Sequence, residues 1–164
     1  MTAAASGPWL RRLELVDARL AAQAARPSRP GLTDPDPASG ERWEAAQVWA
    51  HMAEFPGYWT IEVGRILEAD PAAGAVPFGR TKTDPDRVAA IARDRNTGIA
   101  ELHRRVIARI ATVAATLRAM EDADWTRTGR HPTLGVLGME RIMQEFLVGH
   151  LEEHSAQLEG LANP

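Results

Sequence analysis

Three proline- and glycine-rich interruptions divide this chain into four stretches in which apolar residues recur every three or four positions. That period belongs to helices packed through one face, and β-branched alternation is scarce, so the spacing predicts an all-α fold of four main helices. The first stretch runs from about Pro8 to Ala25, with Pro8 suited to a first helical turn and Leu10, Leu13, Val16 and Leu20 on its apolar side. PSRPGLTDPDPASG follows, with four prolines and two glycines in fourteen residues. It excludes a helix and marks a long irregular loop, a kind of segment that is often functional. The second stretch begins near Ser39 or Gly40 and carries Val48, Met52, Phe55, Trp59, Val63 and Ile66 to about Ala69. Pro56 inside it predicts a kink.

After the linker DPAAGAVPFGRTKT, the pair Asp84-Pro85 is a strong helix start, an aspartate cap followed by a proline that has no N–H to leave unpaired. The third stretch reaches about Met120, and Asn96-Thr97-Gly98 is the place for a break, since glycine inside a helix costs about 1 kcal/mol relative to alanine. Beyond DADWTRTGRHPTLG, the fourth is expected from about Leu134 to Leu161, with Val136, Met139, Met143, Leu147, Leu151 and Leu158 among its apolar residues. At 164 residues the expectation is one domain, 1–164, large enough to form a core without staples.

Charge and composition narrow the chemistry. A net charge of -3 gives no broad electrostatic reason to bind nucleic acid or anionic lipid. No apolar run approaches the roughly 20 residues that cross a bilayer, and the N-terminus lacks a signal-peptide h-region, so a cytoplasmic location without membrane contact is expected. With no cysteine, the chain has no thiolate metal site and no thiol nucleophile of its own. Any thiol chemistry must use a borrowed thiol.

His150 and His154 lie four residues apart within the apolar stripe of the fourth stretch. At that spacing two imidazoles, with Cβ atoms about 6 Å apart, can reach one ion. His51 sits at helical spacing from Val48 and Phe55 on the second stretch, and meets the pair if the two helices are neighbours. Three neutral imidazoles suit zinc, nickel or a similar divalent ion and leave a coordination position open. On spacing alone, hydrogen-bonded core histidines explain the pattern more often than a metal site does. HLEEH also matches the H-x-x-E-H pattern of inverzincin proteases, but the ten residues after it leave no room for a distal ligand or a cleft. His103 in ELHRR and His131 before Pro132 read as solvated or capping residues. Arg104-Arg105 and Glu152-Glu153 read as solvated helix faces. Trp43 and Trp59 are candidates to line a pocket.

WEAAQVWAHMAEFPGYW and HPTLGVLGMERIMQEFLVGHLEEHSAQLEGL, with its HxxxHxxQL ending, together resemble the DinB-like family. Within it they are similar to the branch that contains mycothiol-dependent maleylpyruvate isomerases and related thiol transferases. The resemblance runs over nearly the whole chain. It implies a four-helix bundle arranged up-down-down-up, a homodimer, and His51, His150 and His154 as the ligands of zinc or nickel. It further implies a transferase in which an external low-molecular-weight thiol such as mycothiol attacks a small electrophile. The isomerase branch carries a further C-terminal domain, whereas this sequence ends at Pro164, so isomerisation of maleylpyruvate is not the expected reaction. The competing expectation is a non-catalytic, stress-associated binding or dimerisation bundle whose metal site is structural or vestigial.

Overall fold

The computed structural model describes residues 3–28 and 30–161. Its main helices are α1 (Ala3–Ala24), α2 (Ala45–Glu68), α3 (Pro85–Asp94), α4 (Ile99–Ala119), α5 (Met139–Ile142) and α6 (Val148–Leu161). A π turn over Met143–Leu147 fuses α5 and α6 into one closing helix. α1, α2, α4 and the closing helix form a four-helix bundle, and α3 packs against α2.

Side-chain pairs between helices fix their directions. Arg12 meets Glu152 and Arg19 meets Glu159, so α1 and α6 advance together and are parallel. Arg95 meets Glu44, His103 edges onto Trp49 and Arg109 reaches Ala53 O, which makes α2 and α4 parallel as well. Between α2 and α6 the order reverses, for Trp43 stacks on His154 while Phe55 meets His150. The result is the up-down-down-up arrangement.

Leu13 and Leu20 of α1, Met52, Phe55 and Ile66 of α2, Leu102 and Leu117 of α4, and Ile142, Leu147 and Leu151 of the closing helix are all at most 2% exposed. Burying each such side chain contributes roughly 1.5–3 kcal/mol, so the bundle has its own source of stability, independent of any ligand.

Local chemistry sets the boundaries. α1 starts at Ala3, ahead of the expected first turn, because alanines carry the helix forward and leave Pro8 inside it. α2 starts at Ala45 and not near Ser39, because Asp36 Oδ1 captures the N–H groups of Ala38 and Ser39 in a turn, and Gly40 follows with φ +71. The helix is capped instead by Glu44, whose N–H donates to Gln47 Oε1 at 3.0 Å. The third stretch breaks as expected, between Asp94 and Ile99.

The fourth begins at Met139, not Leu134. Residues before it form a small sheet of β1 (Val76–Pro77), β2 (Thr128–His131) and β3 (Gly135–Gly138), in that order, the first pair parallel and the second antiparallel. Val136, expected on an apolar helix face, is 49% exposed on β3. Arg127 ties this sheet to the bundle by donating to Ile66 O, at 2.7 Å, and Ala69 O at the C-terminal end of α2. Among the described residues no helix is long and apolar enough to cross a membrane.

Candidate metal centre

α2 presents His51 from its second turn, and antiparallel α6 presents His150 and His154 opposite it. His150 Nε2 lies 3.2 Å from His51 Nε2 and 3.0 Å from His154 Nε2. His51 and His154 are 3% and 5% exposed, whereas the His150 side chain keeps 26% of its surface, so the cluster opens to solvent on the His150 side. The π turn sets this register. It brings residue 149 against Gln144, and a Cβ at Gly149 would fall 2.2 Å from Gln144 O, so glycine is what lets the backbone close there.

His154 has a hydrogen-bond acceptor at its outer nitrogen, whereas carboxylates stand farther from the other two rings and His51 Nδ1 is buried without a hydrogen-bond partner. His154 Nδ1 is 2.7 Å from Gln157 Oε1, His150 Nδ1 is 3.5 Å from Glu153 Oε2, and His51 Nδ1 is 3.7 Å from Glu54 Oε2. Carboxylate and amide oxygens only accept, so Gln157 holds Nδ1–H on His154 and turns its Nε2 lone pair inward, and the nearby charges of Glu153 and Glu54 favour the same form on His150 and His51. Burial, then the charges of His154, His150, Arg87 and Arg80, hold His51 well below the usual histidine value. Burial and then His150 hold His154 down to about 3, against the opposing pull of Gln157 and Glu153. Both are neutral at physiological pH, the form that ligates.

Lone pairs 3.0–3.2 Å apart repel unless they share a cation. A tetrahedral ion with metal–nitrogen bonds of about 2.0–2.1 Å separates its ligand nitrogens by about 3.3 Å, close to the two edges that meet at His150. The three histidines therefore fit a divalent ion, and they are the group among the described residues whose donor atoms lie within 4.8 Å of one another. They could hold one metal with a position left open.

The surroundings were only partly foreseen. Trp43 is at the site, edge-on to His51 at 5.2 Å and stacked on His154 at 6.1 Å. The long loop fixes it, since Trp43 N–H donates to Thr33 Oγ1 and Trp43 O accepts from Thr33 N–H. Phe55 closes the inner side, 4.6 Å from His150 and 4.9 Å from His51. Trp59 is elsewhere, stacked on Phe146 at 4.2 Å.

His131 is not solvated, but it does cap its turn, with Nδ1 accepting from Thr133 N–H at 3.3 Å. It is 5% exposed, packed on Trp59, Phe78 and Phe146, with Nε2 3.1 Å from Arg80 O. His103 lies against Trp49 with its Nε2 buried and unpartnered. Glu152 pairs with Arg12 and Arg105 with Glu101, whereas Glu153 faces His150 and so belongs to the site. Glu54 and Arg80 were missed. Arg80 joins Glu54 in an ion pair behind His51 and lies 3.9 Å over the Tyr58 ring. Gly79, at φ +89, delivers it; its N–H is held by Glu62 Oε2 at 2.5 Å, and a Cβ there would strike His131 and Trp59. No sequence signal joins residues 54 and 80. Gln157 had one, as the Q of HxxxHxxQL.

Solved structures share this architecture. YfiT from Bacillus subtilis, described as a probable metal-dependent hydrolase with an unusual four-helix bundle topology, superposes with a TM-score of 0.69 at 19% identity over 99% of this chain and 88% of its own. The mycothiol-dependent maleylpyruvate isomerase superposes with a TM-score of 0.68 at 11% identity over 96% of this chain, and a single-site variant of it does so at 0.67. The chain has the DinB-like four-helix-bundle fold. It spans 63% of the isomerase's length. No family model and no curated protein matches the sequence. At these identities the likeness establishes the DinB-like fold alone; the chemistry rests on this chain's own residues.

Proposed function

We propose that this DinB-like protein binds one divalent ion, zinc or nickel, through His51, His150 and His154, and is a metal-dependent transferase that uses a low-molecular-weight thiol. The observation that carries the reading is the convergence of the three histidines, with His150 Nε2 3.2 Å from that of His51 and 3.0 Å from that of His154, and with Gln157 behind His154. When bound, such an ion lowers the pKa of a coordinating thiol or water.

The protein's part is to hold three lone pairs in place, to cover the inner side with Phe55 and Trp43, and to leave the His150 side open. In the overall reaction the thiol loses its proton to solvent, sulfur forms a bond to an electrophilic carbon, and the leaving group departs with its electron pair. The absence of cysteine supports a borrowed thiol, mycothiol being the one that the resemblance implies. Hydrolysis is the second reading, favoured by the description of YfiT. A hydrolase needs a general base near its water, and the nearest carboxylates, Glu54 and Glu153, face the outer nitrogens, away from the Nε2 side. Thiol transfer asks for no such base. The homodimer is part of the same proposal and is read by light scattering.

The test is elemental analysis of untagged protein and of His51→Ala, followed by conjugation of a chromogenic electrophile with a panel of bacterial thiols, with and without chelator. About one ion per chain, lost in the variant, and a thiol-dependent rate removed by chelation are expected. Metal without any thiol-dependent rate would sink thiol transfer and leave hydrolysis or a non-catalytic bundle. Metal retained by His51→Ala would sink the ligand assignment.

A further inference from the structure

Among the described residues, Arg87 pairs with no carboxylate. It stands in the first turn of α3, where Asp84 Oδ1 accepts its backbone N–H at 2.9 Å. Its guanidinium donates to Lys82 O at 2.7 Å and lies 5.5 Å over the Trp43 ring, within cation–π range. Trp43 in turn covers His51 and His154, so the guanidinium sits one indole away from the histidine cluster. It is close enough for its charge to bear on both rings.

The neighbouring charges are already committed. Glu54 is taken by Arg80 and Asp36 by Lys82, and Glu41 lies exposed near Arg87 without pairing to it among the described residues. Arg80 is spent on Glu54, Asp84 and the Tyr58 ring. Arg87 is half-buried and desolvated, and it pairs with no carboxylate among the described residues: of five N–H groups in a planar fork one is used, whereas Arg80 keeps only a buried Nε–H unpartnered beside its ion pairs. That fork matches a carboxylate in two parallel hydrogen bonds.

We propose that Arg87, backed by Trp43, is the subsite for a carboxylate carried by a small molecule that binds beside the histidine cluster. The inference rests on the metal-centre reading for where that molecule sits, and on Arg87 and Trp43 for what it must carry. The indole face fixes the plane of the guanidinium, so specificity comes from geometry as well as charge.

The probes are ω-mercaptoalkanoates with one to four methylenes, each compared with its methyl ester, titrated into zinc-loaded, nitrogen-labelled protein while the Trp43 indole N–H resonance is followed. At least one acid should bind about tenfold more tightly than its ester. Arg87→Ala should cut that preference below about twofold, and Arg87→Lys should keep part of it. Arg141→Ala, which removes an exposed charge paired only with Glu145, should leave it unchanged. No acid preferred over its ester, or a preference that survives Arg87→Ala, overturns the proposal. If zinc does not bind, the metal reading fails, and the same titration of metal-free protein decides the subsite. An acid-selective, Arg87-dependent shift of Trp43 upholds it, and no such shift overturns it.

Discussion

Gln157 shows how one side chain sets the orientation of another. Its Oε1, 2.7 Å from His154 Nδ1, keeps the ring's proton on the outer nitrogen and the lone pair inward. Gln157→Ala should therefore weaken zinc binding about 10–100-fold with helicity unchanged, as measured by competition with a chromophoric chelator. Unchanged affinity would remove Gln157 from the site. The histidines also set the pH response of the metal-free protein. His51 and His154 titrate below their unfolded value of 6.5, His154 down to about 3, so between those values the unfolded chain binds more protons than the folded one. Stability should then be full above about 6.5 and fall as pH drops toward about 3. Urea denaturation should show this slope in the wild type and a shallower one in His154→Ala. The histidine cluster was legible in the sequence because His150 and His154 share a helical face and His51 lies on an apolar stripe. Arg80, Arg87 and Glu54 were not, since what unites them is tertiary packing between an irregular segment, α2 and α3.

At the level of elements, the register of the closing helix depends on the π turn and therefore on residue 149. Gly149→Ala puts a methyl against backbone at 2.2 Å, which cannot be relieved by moving a flexible side chain. The helix must either lose the extra residue of that turn or shift, and the variant should be destabilised by about 1–3 kcal/mol. Because α6 follows directly, zinc affinity should fall as well, even though no ligand is altered. Thermal melts with a metal titration would check both, and an unperturbed variant would mean that the register has another cause. The long helices were legible from their apolar repeats, and the break before α4 from Gly98. The sheet was not. Its two longer strands, TGRH and GVLG, hold three glycines in eight residues and pair over only four positions, too little alternation to separate from a turn.

Over the whole molecule, the bundle's directions explain why residues so far apart in sequence meet. Parallel α1 and α6 are laced by Arg12–Glu152 and Arg19–Glu159, and this pins the closing helix at the height where antiparallel α2 offers His51. These pairs are part-exposed, worth no more than about 1 kcal/mol each, so their role is alignment more than stability. The apolar core carries the fold. His51→Ala should accordingly melt close to the metal-free wild type, while the wild type alone gains stability on adding zinc, about 2.7 kcal/mol at a hundredfold excess over Kd. Equal gains in both proteins would place the ion elsewhere.

His51 and His150 are 99 residues apart along the chain, yet their nitrogens touch. An ion between them would tie a loop of that length, the topological service that a cystine performs in oxidised proteins, here in a chain with no cysteine to form one. Unlike a disulfide, such a tie opens without a reductant, at a rate set by how fast the metal is withdrawn. Amide exchange in α6 should therefore be slow when zinc is bound and quicken on chelation, more than in α4, which bears none of the three histidines. The grip on that helix would then follow the supply of free metal around the protein.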